Sequence, residues 1–211
     1  MDEKHLLKLM DRAYKSGGYL LIVGERGVEL ICDGMWRFGL DNDKVSTKIK
    51  AKLVEHMDFL PTETGAWQVW PDGAQSADMA VALQIAAAWV PQRELQVLQT
   101  SMHYGDLWIY QNEGTKVCAG IPSGWLLAAG PENIYVDTVK GICYCESEGV
   151  SASGKCATKR TEMGTESALK LAAVLRAMET VRLVGANAAE ELAGQEDFLK
   201  GTEGSEEDAE A

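Results

Sequence analysis

The chain is poor in the residues on which most enzyme chemistry and most metal binding depend. Of its 211 residues only three are histidine, His5, His56 and His103. Histidine is the commonest general base and metal ligand, and His5 and His56 fall inside helical patterns. Five cysteines, Cys32, Cys118, Cys143, Cys145 and Cys156, are odd in number and lack framework spacing. They point to reduced thiols in a cytoplasmic protein rather than to a disulfide scaffold. Long apolar runs are also missing. The longest, residues 79–90, is broken by Gln84 and is too short to span a bilayer, so no membrane partner is expected. Met1 is followed by Asp-Glu-Lys-His rather than by an apolar stretch, and no secretion signal is expected.

What is present in excess is negative charge, unevenly placed. The chain carries 32 Asp and Glu against 20 Lys and Arg, a net charge of −12. Residues 187–211 hold nine acids and one lysine and so supply eight of those twelve charges. Residues 61–154 hold ten acids against three bases, whereas residues 1–53 hold ten bases against eight acids. The body is therefore only mildly acidic, and its first quarter is slightly basic.

Hydrophobic periodicity predicts an α+β fold. Residues 3–15 read as an amphipathic helix with Leu6, Leu7, Leu9, Met10, Ala13 and Tyr14 on one arc. Residues 19–23 and 28–32 flank a short Gly-rich turn and read as a β-hairpin, which 36–40 continues. A second amphipathic helix is predicted over 44–57, with Val45, Ile49, Leu53 and Met57 as its buried stripe. Residues 58–75 read as loop with one strand at 67–70. A helix over 77–90, capped by Ser76, is apolar nearly all round and is expected to be buried. Strand-like runs at 95–99, 107–111, 116–121, 134–138 and 142–146 suggest an antiparallel meander. Residues 149–164 read as a polar loop, and a long helix follows from Thr165 or Ser167 to Val184. The expected architecture is one domain over 1–186, with a candidate division into two halves near residues 90–105. No internal repeat is found. Residues 187–211 are expected to be partly helical and then disordered.

Candidate chemistry is sparse. Gly149-Val-Ser-Ala-Ser-Gly-Lys155-Cys156 has the spacing of a phosphate-binding loop, but Cys156 replaces the hydroxyl that holds magnesium and no apolar helix follows. Cys143, Cys145 and Cys156 lack the paired-knuckle spacing of a zinc site. Strand alternation puts Cys143 and Cys145 on one face, as core thiols. Pro122-Ser123-Gly124 shares with a nucleophile elbow only a serine beside glycine. Glu146 and Glu148 fall in or next to a predicted loop, where carboxylates are solvated. Hence no catalytic residue, metal or cofactor is assigned. Six tryptophans read mainly as packing anchors, with Trp67 and Trp70 the pair expected to be partly exposed.

The clearest surface pattern is cationic. Lys4, Lys8, Arg12 and Lys15 recur at helical spacing, as do Lys44, Lys48 and Lys52. An amphipathic helix needs a polar outer face, and lysine serves there without any further role. Few acids interleave with these stripes, however, and two such helices side by side would form a track for a phosphate backbone. The arrangement of helix, hairpin, helix and meander with lysine-bearing helices resembles DNA sliding clamps in architecture. That resemblance implies nucleic-acid contact through the seven basic residues. Gln195-Glu-Asp-Phe198-Leu199 is similar to the short peptides by which bacterial proteins dock onto their clamp, with Phe-Leu where the pattern prefers Leu-Phe. It nominates Gln195, Phe198 and Leu199 as partner-binding residues. The leading expectation is a non-catalytic accessory protein that contacts nucleic acid or another polyanion. A protein–protein adaptor or inhibitor acting through the acidic surface and tail is second, and an enzyme with dispersed residues is third.

Overall fold

The computed structural model describes residues 1–160 and 166–185. Gln195, Phe198, Leu199 and the rest of the predicted acidic tail lie outside the described residues. The first element is α1 (Glu3–Lys15), as its period predicts, with the Asp2 side chain accepting from the His5 amide at its start. A meander of β1 (Tyr19–Val23), β2 (Gly27–Cys32) and β3 (Trp36–Asp41) follows. A 3-10 turn over Asn42–Lys44 then leads into α2 (Thr47–Met57), whose cap is Ser46. Next come β4 (Gly65–Trp70), β5 (Gly73–Ala77) and α3 (Met79–Ala88). Asp78 rather than Ser76 caps α3, because Ser76 is already paired in the β4–β5 hairpin.

The second part opens with β6 (Leu95–Tyr104), β7 (Leu107–Gln111) and β8 (Cys118–Pro122). A short helix, α4 (Ser123–Ala129), leads to β9 (Ile134–Asp137) and β10 (Ile142–Ser147). The chain then forms β11 (Val150–Lys155), β12 (Ala157–Thr158) and α5 (Glu166–Met178). The final helix ends at Met178, six residues short of the expected limit at Val184.

All twelve strands join one antiparallel sheet in the order β12-β8-β7-β6-β9-β10-β11-β3-β2-β1-β4-β5. The order 3-2-1-4-5 before α3 recurs as 8-7-6-9-10 after it. Each time a three-stranded meander is followed by a helix that returns the chain to the free side of the first strand. Strand β11 joins the two sets by pairing with both β10 and β3. Its continuation, β12, pairs with β8 and closes β6 to β12 into a ring of pairings.

The expected loop at 149–164 is thus corrected: its first half is the central strand of the sheet. Small residues suit that place because both faces are covered. Ser153 is buried and donates to the Trp89 carbonyl at 3.0 Å. A Cβ on Gly154 would stand 2.8 Å from Trp125 Cδ1, so only glycine lets α4 pack there. The phosphate-loop spacing is therefore carried by a strand, not by a loop.

One face of the sheet carries α1, α2 and α4 over the main core, where Leu6, Met10, Leu21, Leu30, Phe38, Ile49, Leu53 and Ile121 are all but fully buried. The opposite face carries α3 over Leu20, Ile22, Ile31 and Ala66. It also carries α5, whose Leu175 is buried against Ile109 and Cys118. No helix among the described residues is long and apolar enough to cross a membrane.

Candidate functional site

The two basic helices do lie side by side on one face, but their charges are not pooled. Lys48 reaches Glu3 of α1 at 3.0 Å. Lys52 reaches Asp11 at 3.0 Å and Glu55 at 2.7 Å, and Lys44 stands 3.4 Å from Asp43. Exposed pairs of this kind contribute only about 0–1 kcal/mol each. Their consequence is electrostatic: Lys48 and Lys52 of α2, and Lys44 in the turn before it, already have carboxylate partners. Lys4, Lys8, Arg12 and Lys15 remain exposed on α1, with no ion pair among the described residues.

Beneath this seam is a polar cluster that sequence reading did not connect. His56, 4% exposed, lies between Asp11 and Tyr19, with its Nε2 3.1 Å from Asp11 Oδ1 and its Nδ1 3.1 Å from the Tyr19 hydroxyl. The ionised carboxylate can only accept, so Nε2 carries the proton and Nδ1 accepts from Tyr19. Tyr14 stacks flat on the imidazole at 4.0 Å. Burial lowers the His56 pKa against the pull of Asp11 and holds the ring neutral. At Asp11, burial works to raise the carboxyl, but bonds from Lys52 and His56 outweigh it and hold the group below its ordinary value. Asp11, Glu55 and His56 are close enough together to consider a cation. Lys52 Nζ already bonds to both carboxylates there, so the positive charge of that site is the protein's own. Through these bonds the cluster joins α1, α2 and β1.

The cysteines are core residues. Cys143 and Cys145 point into the main core with Cys156. Burial pushes the Cys145 thiol up to about 11, and Cys143 rises for the same reason with Cys156 adding to it. Thiols held protonated are poor nucleophiles and poor metal ligands. Trp36, Trp89 and Trp125 are buried, while Trp67 and Trp70 are half-buried on β4.

The surface that departs most from ordinary composition is α3, and here the sequence expectation fails. Only Ala82 and Ala86 of the helix are buried, followed by Trp89. Val81 is 54% exposed, Leu83 52%, Val90 52% and Ile85 37%. The two alanines let the helix sit close on β1 and β4, and no further layer covers it among the described residues. On its Leu83 side runs a cleft of about 530 Å³ whose rim includes Glu25, Asp41, Glu146 and Arg26. Glu29 and Arg37, also in that cleft, pair with each other at 3.0 Å. The rim is therefore acidic beside an apolar ridge.

No family model, curated protein or solved structure matches this chain. The functional reading accordingly rests on these surfaces alone. The clamp-like expectation has only the helix and lysine pattern behind it.

Proposed function

We propose that the protein is a non-catalytic binding module whose recognition surface is α3. The observation that carries this reading is the exposure of Val81, Leu83 and Ile85 on a helix that buries only small residues, and of Val90 just beyond it. Several large apolar side chains exposed on both flanks of one short helix are more than the scattered single ones ordinary at a protein surface, and such a concentration suits an interaction site. The acidic rim selects the occupant: an amphipathic segment of a partner protein, with an apolar stripe to cover α3 and basic residues to meet Glu25, Asp41 and Glu146. The chain's own end is a poor occupant, since residues 187–211 carry nine acids and one lysine, the same sign as the rim.

The test uses an 18-residue leucine/lysine amphipathic peptide and its leucine/glutamate counterpart. The basic peptide is expected to bind and to shift the amide resonances of α3. Leu83→Glu is expected to weaken it about thirtyfold, the effect of losing a hot-spot residue worth about 2 kcal/mol. The side chain is exposed, so the same substitution should change stability by no more than about 0.5 kcal/mol. Concentration-dependent self-association abolished by Leu83→Glu would instead make a second copy the occupant.

A second reading, contact with a polyanion along α1, is favoured by Lys4, Lys8, Arg12 and Lys15 standing exposed in one stripe. With four cations, retention on heparin would fall by about 3–4 decades in affinity per decade of salt. Charge reversal at Lys8 and Arg12 together would abolish it. No retention at low salt would remove this reading.

A further inference from the structure

A second cleft, of about 750 Å³, opens on the outer face of the sheet between α5 and the turn joining β9 to β10. Its size falls within the roughly 300–1,000 Å³ of small-molecule sites. One wall is apolar, formed by Leu107, Pro122, Ala157, Ala168 and Leu171. The charged lining is three cations, Lys140, Lys155 and Arg160, against a single carboxylate, Asp106. In a chain of net charge −12 this local excess of positive charge stands out.

The cations are not spent on carboxylates. Lys140 Nζ donates to the carbonyls of Val90 at 2.6 Å and Ala88 at 3.4 Å. Lys155 Nζ lies 5.4 Å from the centre of the Trp89 ring and 3.5 Å from the Lys140 carbonyl. These neutral partners orient the ammonium groups and leave their charge unbalanced. None of the three cations has a carboxylate ion pair among the described residues.

Turn tips normally carry polar residues, yet two apolar side chains stand at this mouth: Val139, 60% exposed, and Tyr104, 39% exposed. The Val139 turn is braced from below by the buried Asp137, whose Oδ1 accepts from the Val139 and Lys140 amides at 2.9 and 3.0 Å. The mouth is thus rigid, apolar and cationic.

We infer that this cleft binds an amphiphilic anion, an aliphatic chain ending in a carboxylate. The chain would lie along Leu107, Leu171 and Val139, with its head group at Lys140, Lys155 and Arg160. The cleft adjoins the end of α3, where Lys140 Nζ donates to the Ala88 and Val90 carbonyls, but its assignment does not depend on the partner reading above.

Calorimetric titration of the full chain with decanoate, below its micellar concentration, tests the assignment. Decanoate is expected to bind, with affinity rising about fourfold per added methylene from octanoate upward. Lys155→Glu and, separately, Arg160→Glu are expected to weaken decanoate at least tenfold with the thermal transition retained. Using both keeps the test valid if one variant misfolds. Equal binding of decyltrimethylammonium would overturn the proposal, as would binding of acetate as tight as that of decanoate. So would no binding of decanoate to the folded chain, or resonance shifts confined to residues outside this cleft. A peptide with an apolar C-terminus that displaces decanoate and binds more than tenfold tighter would also overturn it, in favour of a protein ligand.

Discussion

Replacing Asp137 with alanine is expected to cost about 4 kcal/mol, because four backbone donors converge on one carboxylate. Oδ2 accepts from the Gln92 and Arg93 amides at 2.9 and 3.2 Å, and Oδ1 from the Val139 and Lys140 amides. The residue is 1% exposed, so neither the donors nor the carboxylate would find water without structural change. Hydrogen bonds to a charged group contribute about 1.5–3 kcal/mol each, and orphaned buried donors cost about 1–3 kcal/mol. The four bonds share one anion, which keeps the total below their sum. In a chain of this size the loss corresponds to a fall in Tm of roughly 8–16 °C.

The pH dependence has a fixed sign. Burial alone would raise the Asp137 carboxyl, but the four amides outweigh it and hold it below the ordinary value of 3.8. Its contribution is therefore fully present above pH 3.8 and is lost as pH falls through the lowered folded-state value. Urea unfolding at pH 7 and in acid should show a gap between the native protein and Asp137→Ala that narrows at low pH. A gap under about 1 kcal/mol at pH 7 would mean that the brace is not holding the turn.

The second large effect is expected at Gln111, which fastens the end of α5 to the sheet. This residue is fully buried on β7. Its Nε2 donates to the carbonyl of Val181 at 2.8 Å and to that of Met178 at 3.3 Å, and its Oε1 accepts from the Leu183 amide at 2.6 Å. Nearby, Glu179 accepts from the Cys118 amide at 3.1 Å and pairs with Lys159 at 2.6 Å. Gln111→Leu keeps the volume and removes the polar clip, so the loss should be about 3 kcal/mol from unsatisfied backbone groups. That loss should be concentrated in α5. Hydrogen exchange is expected to quicken about a hundredfold over residues 168–183 and to change little in β1 to β3. Uniform acceleration across the sheet would show that α5 is not a separately anchored element.

The elements legible in the sequence are those with a full amphipathic period and a cap. Helix α1 matches its expected limits, and α2 begins at Thr47 rather than at residue 44, because Lys44 ends a 3-10 turn and Ser46 is the cap. Strands β7 to β10 lie within two residues of where runs between turn residues put them, whereas β6 continues past the expected 95–99 to Tyr104. Strand β11 was hidden because its place between β10 and β3 demands small residues, and Ser-Ala-Ser-Gly reads as a loop on composition. Helix α4, seven residues long, is too short to show a period.

The candidate sites were less legible for a different reason. The lysine pattern places seven cations on two helices, but Glu3 and Asp11, on the α1 flank that faces α2, decide how many stay unpaired. That flank emerges only once α1 and α2 are packed together. Helix α3 has the pattern of a buried helix, yet among the described residues no layer lies over Val81, Leu83 and Ile85, so apolar composition alone did not reveal its exposure. The cleft at Lys140, Lys155 and Arg160 draws on a turn, a strand end and a loop that share no local pattern.

The central claim, that α3 is the recognition surface, is tested most directly by mapping amide shifts of the full chain against the leucine/lysine peptide. The account predicts shifts centred on residues 79–90 and the acidic rim, abolished by Leu83→Glu and not produced by the leucine/glutamate peptide. Shifts centred elsewhere, or equal binding of the two peptides, would contradict it.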